Sequence, residues 1–139
     1  KQFDTHDQPE STGGIFFTSA SVPAPIWNII SEMVGTFVLI YFILESSPFQ
    51  PGTADSSPQF GNSALGYAGV AFTVIAIGAS LGGATGYAVN PARDLGPRIM
   101  YTLLPIRGKG SSNWGYSWIP ILGPIIGAIL AILFFQATN

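Results

Sequence analysis

The chain has 139 residues, with 17 Gly, 11 Pro, no Cys, five Lys plus Arg, seven Asp plus Glu and a net charge of −2. Charged residues make up 9% of it, against roughly 25% in an ordinary soluble domain. One His and no Cys exclude most transition-metal sites and all thiol chemistry, the lack of a basic tract excludes a nucleic-acid surface, and the apolar content excludes disorder.

Residues 1–25 read as a loop. The string DTHDQPESTGG is polar and broken by Pro9, Gly13 and Gly14, and the apolar patch Ile15–Phe17 is too short to cross a bilayer. His6, between Asp4 and Asp7, reads as a surface residue rather than a metal ligand. No basic segment or cleavage pattern marks a signal peptide, and a start in mid-loop suggests part of a longer protein. The first expected span covers about 26–45. From Ile26 to Leu44 the only charge is Glu32. Pro25 suits a helix start, where its missing N–H is no loss, and Trp27 suits a membrane interface. Residues 46–64 hold Pro48, Pro51, Gly52, Pro58 and Gly61 and read as a loop.

From Leu65 to Val89 there is no charge at all, which places a second span at about 65–82. Gly78, Gly82 and Gly86 recur every fourth residue, a spacing that lets helices approach closely. At Gly82-Gly83-Ala84-Thr85-Gly86 helix propensity falls, yet no charge appears before Arg93. The reading is non-helical backbone at membrane depth from about residue 83, tolerated only where it is buried in protein or lines a wet cavity. Asn90-Pro91 then reads as a helix start, with Asn90 as cap and Pro91 at the first helical position. The helix to about Leu104 is too short to cross a bilayer and reads as a half-helix whose N-terminus lies within the membrane. A third span covers about 118–136. The stretch Trp114–Phe135 is uncharged, Trp114, Tyr116 and Trp118 cluster before the span, and Gly123, Gly127 and Ala131 form a small-residue face.

Four polar residues stand out. Asn90 at a helix N-terminus can cap with its oxygen and leave its NH2 free to donate into a cavity, or it is only a cap. Arg93, three residues on, is expensive at membrane depth and reads as functional, the alternative being an Arg that snorkels to the interface. Glu32 needs donors if buried, and the segment from Gly82 to Val89 has backbone N–H groups to offer. Asp94 lies in the first helical turn, where a carboxylate is favoured. No arrangement supports catalysis. The one His lies near the terminus, and the GATG and GKG strings lack the strand–turn–helix setting of a phosphate loop.

The segment GYAVNPARDLGPR at 86–98 resembles the second signature of the aquaporin and glycerol-facilitator family, the major intrinsic proteins. SEMVGTFVLIYF at 31–42 is similar to the family's fourth span and WIPILGPIIGAILA at 118–131 to its sixth. The resemblance implies an all-α membrane protein with the aquaporin-like fold, here the C-terminal inverted repeat of three transmembrane helices and one re-entrant half-helix, with residues 1–25 extracytoplasmic. It implies a multi-pass protein of a prokaryotic plasma membrane, paired with a missing N-terminal half of the same channel and assembled as a homotetramer in lipid. The expected activity is passive conduction of glycerol, related small neutral solutes and water, with ions and protons excluded and no cofactor, metal or enzymatic step. A strict water channel, perhaps passing ammonia or peroxide, and a non-conducting scaffold are the alternatives. In the family pattern Asn90 and Arg93 donate to the solute, Tyr87 forms a filter wall usually made by Phe, Gly78 leaves the filter wide, and Gly86, Tyr87 and Ala88 turn carbonyls to the pore. Glu32, Asp94, Pro91 and Ala92 support the loop. Val70, Ile77, Leu81 and Val89 are candidate apolar lining. The cations at 93–109 would put that side in the cytoplasm. The family pattern puts it outside, and that orientation is the one expected here.

Overall fold

A computed structural model of the protein describes residues 12–46 and 64–139. The segment around His6 and most of the expected 46–64 loop lie outside the described residues. The elements are α1 (Gly13–Phe16), α2 (Pro25–Glu45), α3 (Ala64–Thr85), α4 (Pro91–Leu103) and α5 (Trp118–Thr138). No strand occurs among the described residues. Pro25–Glu45, Tyr67–Thr85 and Trp118–Thr138 are long and apolar enough to cross a membrane. At 13 residues, α4 is about 20 Å long and does not reach across.

Two elements differ from the sequence reading. The patch at Ile15–Phe17 is not plain loop. It closes one helical turn, α1, and Phe16 and Phe17 pack on the Tyr101 ring of α4 with centroids 5.2 and 5.3 Å away. Helix α3 also runs on to Thr85 rather than stopping near residue 82. Glycine lowers helix propensity in water, but away from water the intrahelical bond is the backbone's best partner. The Gly86 N–H still bonds the Gly82 carbonyl at 2.8 Å. Ser21 then covers the helix end, its N–H on the Ala84 carbonyl at 3.1 Å and its hydroxyl on the Gly83 carbonyl at 2.7 Å. Between α3 and α4, non-helical backbone is thus confined to residues 86–90.

The core lies between α2 and α5. A Cβ on Gly123 would stand 2.7 Å from the Glu32 Cβ, and one on Gly127 would run into the Met33 carbonyl oxygen. With Ala131 fully buried, these residues make the flat face that lets the two backbones touch. Helix α3 joins the pair where Ile77 and Val89 pack over Gly35. Polarity is inverted relative to a soluble fold. Glu32, Asp94 and Arg98 are buried, while Phe72, Ile75 and Leu133 are exposed, as suits a protein whose surroundings are apolar.

The α2–α5 contact generates a test. Gly127→Leu should lower the stability of the full-length protein by about 1–3 kcal/mol, the usual range for overpacking. Gly115, whose Cβ would meet nothing within 4 Å, should accept Ala without effect. Thermal unfolding in detergent checks both, and equal melting of the two variants would contradict the packing account.

Candidate functional site

The segment 86–90 has an unusual backbone. Gly86 has φ of 77°, and Tyr87 and Val89 both have φ of 40°. For residues with a Cβ that conformation costs on the order of 1–3 kcal/mol each, and it persists only where the surroundings fix it. They do so through Glu32, which is 1% exposed on α2. Its two carboxylate oxygens accept the Ala88 N–H at 3.0 Å and the Val89 N–H at 2.8 Å. Two successive N–H groups converge on one anion, an arrangement that left-handed backbone residues produce. Gly86 is required at the start of the turn. Its φ suits glycine, and a Cβ there would press on Thr18 at 3.2 Å.

A second buried cluster holds α4. Asp94 and Arg98 are fully buried and four residues apart on one helix face. All five Arg98 N–H groups are used. Nε and one Nη2 hydrogen go to Asp94 at 2.8 and 3.0 Å, the other Nη2 hydrogen to the Thr18 carbonyl at 2.9 Å, and Nη1 to the Ser112 and Asn113 carbonyls at 2.7 and 2.8 Å. Asp94 also accepts the Thr18 N–H at 2.8 Å and the Thr18 hydroxyl at 2.6 Å. The Phe17 ring lies 4.2 Å from the guanidinium carbon, within cation–π range. At the other end of α4, the Lys109 ammonium donates to the carbonyls of Tyr101, Thr102 and Leu104 at 2.7, 2.8 and 2.7 Å. A cation there suits the negative pole of the helix. Tyr116, expected among the interfacial aromatics, is instead buried. Burial pushes its hydroxyl pKa up, and the Glu32 and Asp94 carboxylates push it the same way, so the hydroxyl stays protonated.

Against these fixed parts, Asn90 and Arg93 keep donors that no described residue accepts. Asn90 caps α4, its Oδ1 accepting the Ala92 and Arg93 N–H groups at 2.9 and 3.3 Å, and Pro91 takes the first helical position. With the oxygen turned to the helix, the amide NH2 faces away, and no described residue accepts from it. The Arg93 guanidinium is exposed and has no hydrogen-bond partner among the described residues. The Tyr87 ring lies beside it, its centroid 5.9 Å from the guanidinium carbon. No described residue donates to the carbonyls of Gly86, Tyr87 or Ala88. Leu39, Val74, Tyr87, Ala88, Val89, Asn90 and Arg93 together line a concavity of about 220 Å³. Its donors lie on α4, and its aliphatic wall comes from Leu39 of α2, Val74 of α3 and Val89.

The structure therefore brings together Asn90, Arg93, Tyr87 and Ala88, with Glu32 and Asp94 buried behind them, Gly86 at the start of the turn, and Pro91 and Ala92 in the first turn of α4. Gly78 lies against Tyr87. The room it leaves is taken by the Tyr87 ring, whose ζ-carbon would stand 3.0 Å from a Cβ on Gly78, and Gly82 makes the rest of the seat. Of the candidate apolar residues only Val89 lines the concavity. Ile77 is 3% exposed, and both it and Leu81 pack over Gly35. The sequence reading missed Arg98, Thr18 and Lys109. The four-residue spacing of Asp94 and Arg98 was the available signal for the first, and nothing local marks Thr18.

The profile of the family described as Major intrinsic protein matches residues 10–135. The glycerol uptake facilitator protein of Bacillus subtilis is 48% identical over 131 residues, covering 94% of this chain and 44% of that protein. That of Streptococcus pneumoniae serotype 4 is 46% identical over 139 residues, covering 97% and 55%. Glycerol uptake facilitator protein 3 of Lactiplantibacillus plantarum is 49% identical over 123 residues, covering 88% and 47%. The chain spans about half the length of the curated relatives it matches.

The buried pair on α4 makes a stability prediction. Arg98→Met leaves Asp94 charged and buried without its cation, and should cost about 3–5 kcal/mol. Adding Asp94→Asn should restore part of that loss, because the unpaired charge is gone. Thermal melting of the full-length protein reads both. An Arg98→Met variant that melts like its parent contradicts the pairing.

Proposed function

Because the chain belongs to the major intrinsic protein family, an integral membrane channel family, we propose that it forms the C-terminal half of a passive channel for glycerol and related small neutral solutes, with water. The observation that carries this reading is the two-sided concavity. Asn90 and Arg93 offer unpartnered donors on one side, and Leu39, Val74 and Val89 offer aliphatic surface on the other. A polyol has hydroxyls along one edge and C–H groups along the other, so it exchanges its water for donors without leaving its carbon edge against polar groups. The names of the relatives support the same solute.

Conduction by this reading needs no chemical step. Solute hydroxyls accept from the Asn90 amide and the Arg93 guanidinium, and donate to the unpartnered carbonyls of Gly86, Tyr87 and Ala88. The Arg93 charge and the N-terminal pole of α4 repel cations, and an apolar wall offers no substitute for an ion's hydration shell. Gly78 and Gly82 act together with Tyr87, since the ring that forms one wall needs both glycines beneath it. In this reading the remainder of the channel encloses the concavity, four complete copies assemble in a prokaryotic plasma membrane, and residues 1–25 face outward.

Stopped-flow light scattering on liposomes holding the complete channel tests the proposal. The parent should pass glycerol and water while a proton gradient holds. Gly78→His places an imidazole where the Tyr87 ring lies, which drives the ring into the solute path. It should lower glycerol flux about tenfold and water flux much less, as expected when about 1.4 kcal/mol is added to one barrier. Water flux without glycerol flux in the parent would replace this reading with a strict water channel.

A further inference from the structure

Helices α2 and α5 run side by side in the same direction, since Gly123 meets Glu32, Gly127 meets Met33 and Asn139 reaches Glu45. One turn before the Glu32–Gly123 contact, Asn28 and Ile119 line a cavity of about 270 Å³. Pro23, Pro25 and Ile119 give it apolar walls, and Asn28, Asn113 and Tyr116 give it polar groups. It shares no lining residue with the concavity of Asn90 and Arg93. Two of its polar side chains are buried and incompletely paired. Asn28 is 4% exposed. Its amide NH2 donates to the Val22 carbonyl at 3.1 Å, and its Oδ1 accepts from no described residue. Tyr116 is 9% exposed, and its hydroxyl is the one buried side-chain polar atom without a partner among the described residues. The hydroxyl stays protonated, so it is a donor in want of an acceptor, while Asn28 Oδ1 is an acceptor in want of a donor. Leaving both unpaired within one buried site is costly. Water accepts from one and donates to the other, and at roughly 30 Å³ per molecule the cavity has room for it.

We propose that this cavity is a site for a resident water that accepts from the Tyr116 hydroxyl and donates to Asn28 Oδ1. The water is a structural ligand away from the Asn90–Arg93 concavity, and the inference does not depend on which solute the protein conducts. Its consequence is mechanical. Asn113 lines the same cavity, its carbonyl accepts from Arg98 at 2.8 Å, and the same carbonyl accepts the Tyr116 N–H at 3.1 Å. The water therefore ties the first turn of α2 to the 113–116 turn that anchors α4 through Arg98.

A double-mutant cycle in the melting temperature of the full-length protein tests this, together with radiolytic hydroxyl-radical footprinting of the parent. Tyr116→Phe keeps the ring and removes only the hydroxyl. It should lower the melting temperature by about 2 °C, the size of one modest hydrogen bond. In an Asn28→Ala background, where the water has already lost its other partner, the same change should cost much less. In footprinting, radicals form where water is bound. Tyr116 should therefore be oxidised in the parent despite its burial, while Tyr101, which is fully buried with its hydroxyl on Thr12, should not. A Tyr116→Phe variant that melts like its parent or higher shows an unpartnered hydroxyl, and equal losses in the two backgrounds show a partner not shared with Asn28. Either result overturns the proposal, as does a Tyr116 oxidised no more than Tyr101. If the Asn28→Ala protein does not fold, the footprint and the Tyr116→Phe melt decide.

Discussion

Everything at this site depends on what pairs with the backbone of residues 86–90. In lipid or in a dry protein interior an unpaired N–H costs several kcal/mol, and a non-helical segment has no ladder to supply partners. Glu32 resolves this for Ala88 and Val89 with one carboxylate. The anion is satisfied by the same bonds, so neither side leaves a buried group unpaired. Because the carboxylate rises from α2, the loop is fixed to the tightest helix pair of the structure, where Gly123 of α5 packs on Glu32 itself.

A division between two arginines follows on α4. Arg98 is fully buried and has every donor occupied, while Arg93, more than a turn earlier, is exposed and has none occupied by a described residue. The first fixes the half-helix to Thr18 and to the 112–113 backbone. The second is available to a solute because the first, with Glu32 and Lys109, already holds the structure. Asn90 divides the same way within one side chain, its oxygen committed to the helix and its NH2 not. In the proposed channel, a preference for neutral solutes follows from these spare donors facing aliphatic residues.

The spans were legible because charge is nearly absent from them, and lipid punishes charge more reliably than water punishes apolar residues. Asn90 as a cap and Glu32 as an acceptor for the loop followed from valence, since both groups must find partners. The end of α3 was not legible. Glycine propensity measured in water does not apply where only the helix can pair the backbone, and Ser21, which covers that end, lies 62 residues from Gly83. The Thr18–Asp94 contact joins residues 76 apart and leaves no local trace. That Gly78 seats the Tyr87 ring was not legible, because sequence shows which residue lacks a side chain and not which neighbour packs on it. An orientation rule would count the cations at 98 and 109, but Arg98 belongs to the re-entrant element and both are committed to packing.

The central claim is that Glu32 holds the 86–90 backbone, and backbone amide exchange in the complete channel tests it directly. The Ala88 and Val89 amides should exchange as slowly as those in the middle of α2, and Glu32→Gln, which removes one acceptor oxygen and adds a donor, should speed exchange at these two positions while leaving α2 and α5 protected. Fast exchange of Ala88 and Val89 in the parent, or no change in the variant, would contradict the account.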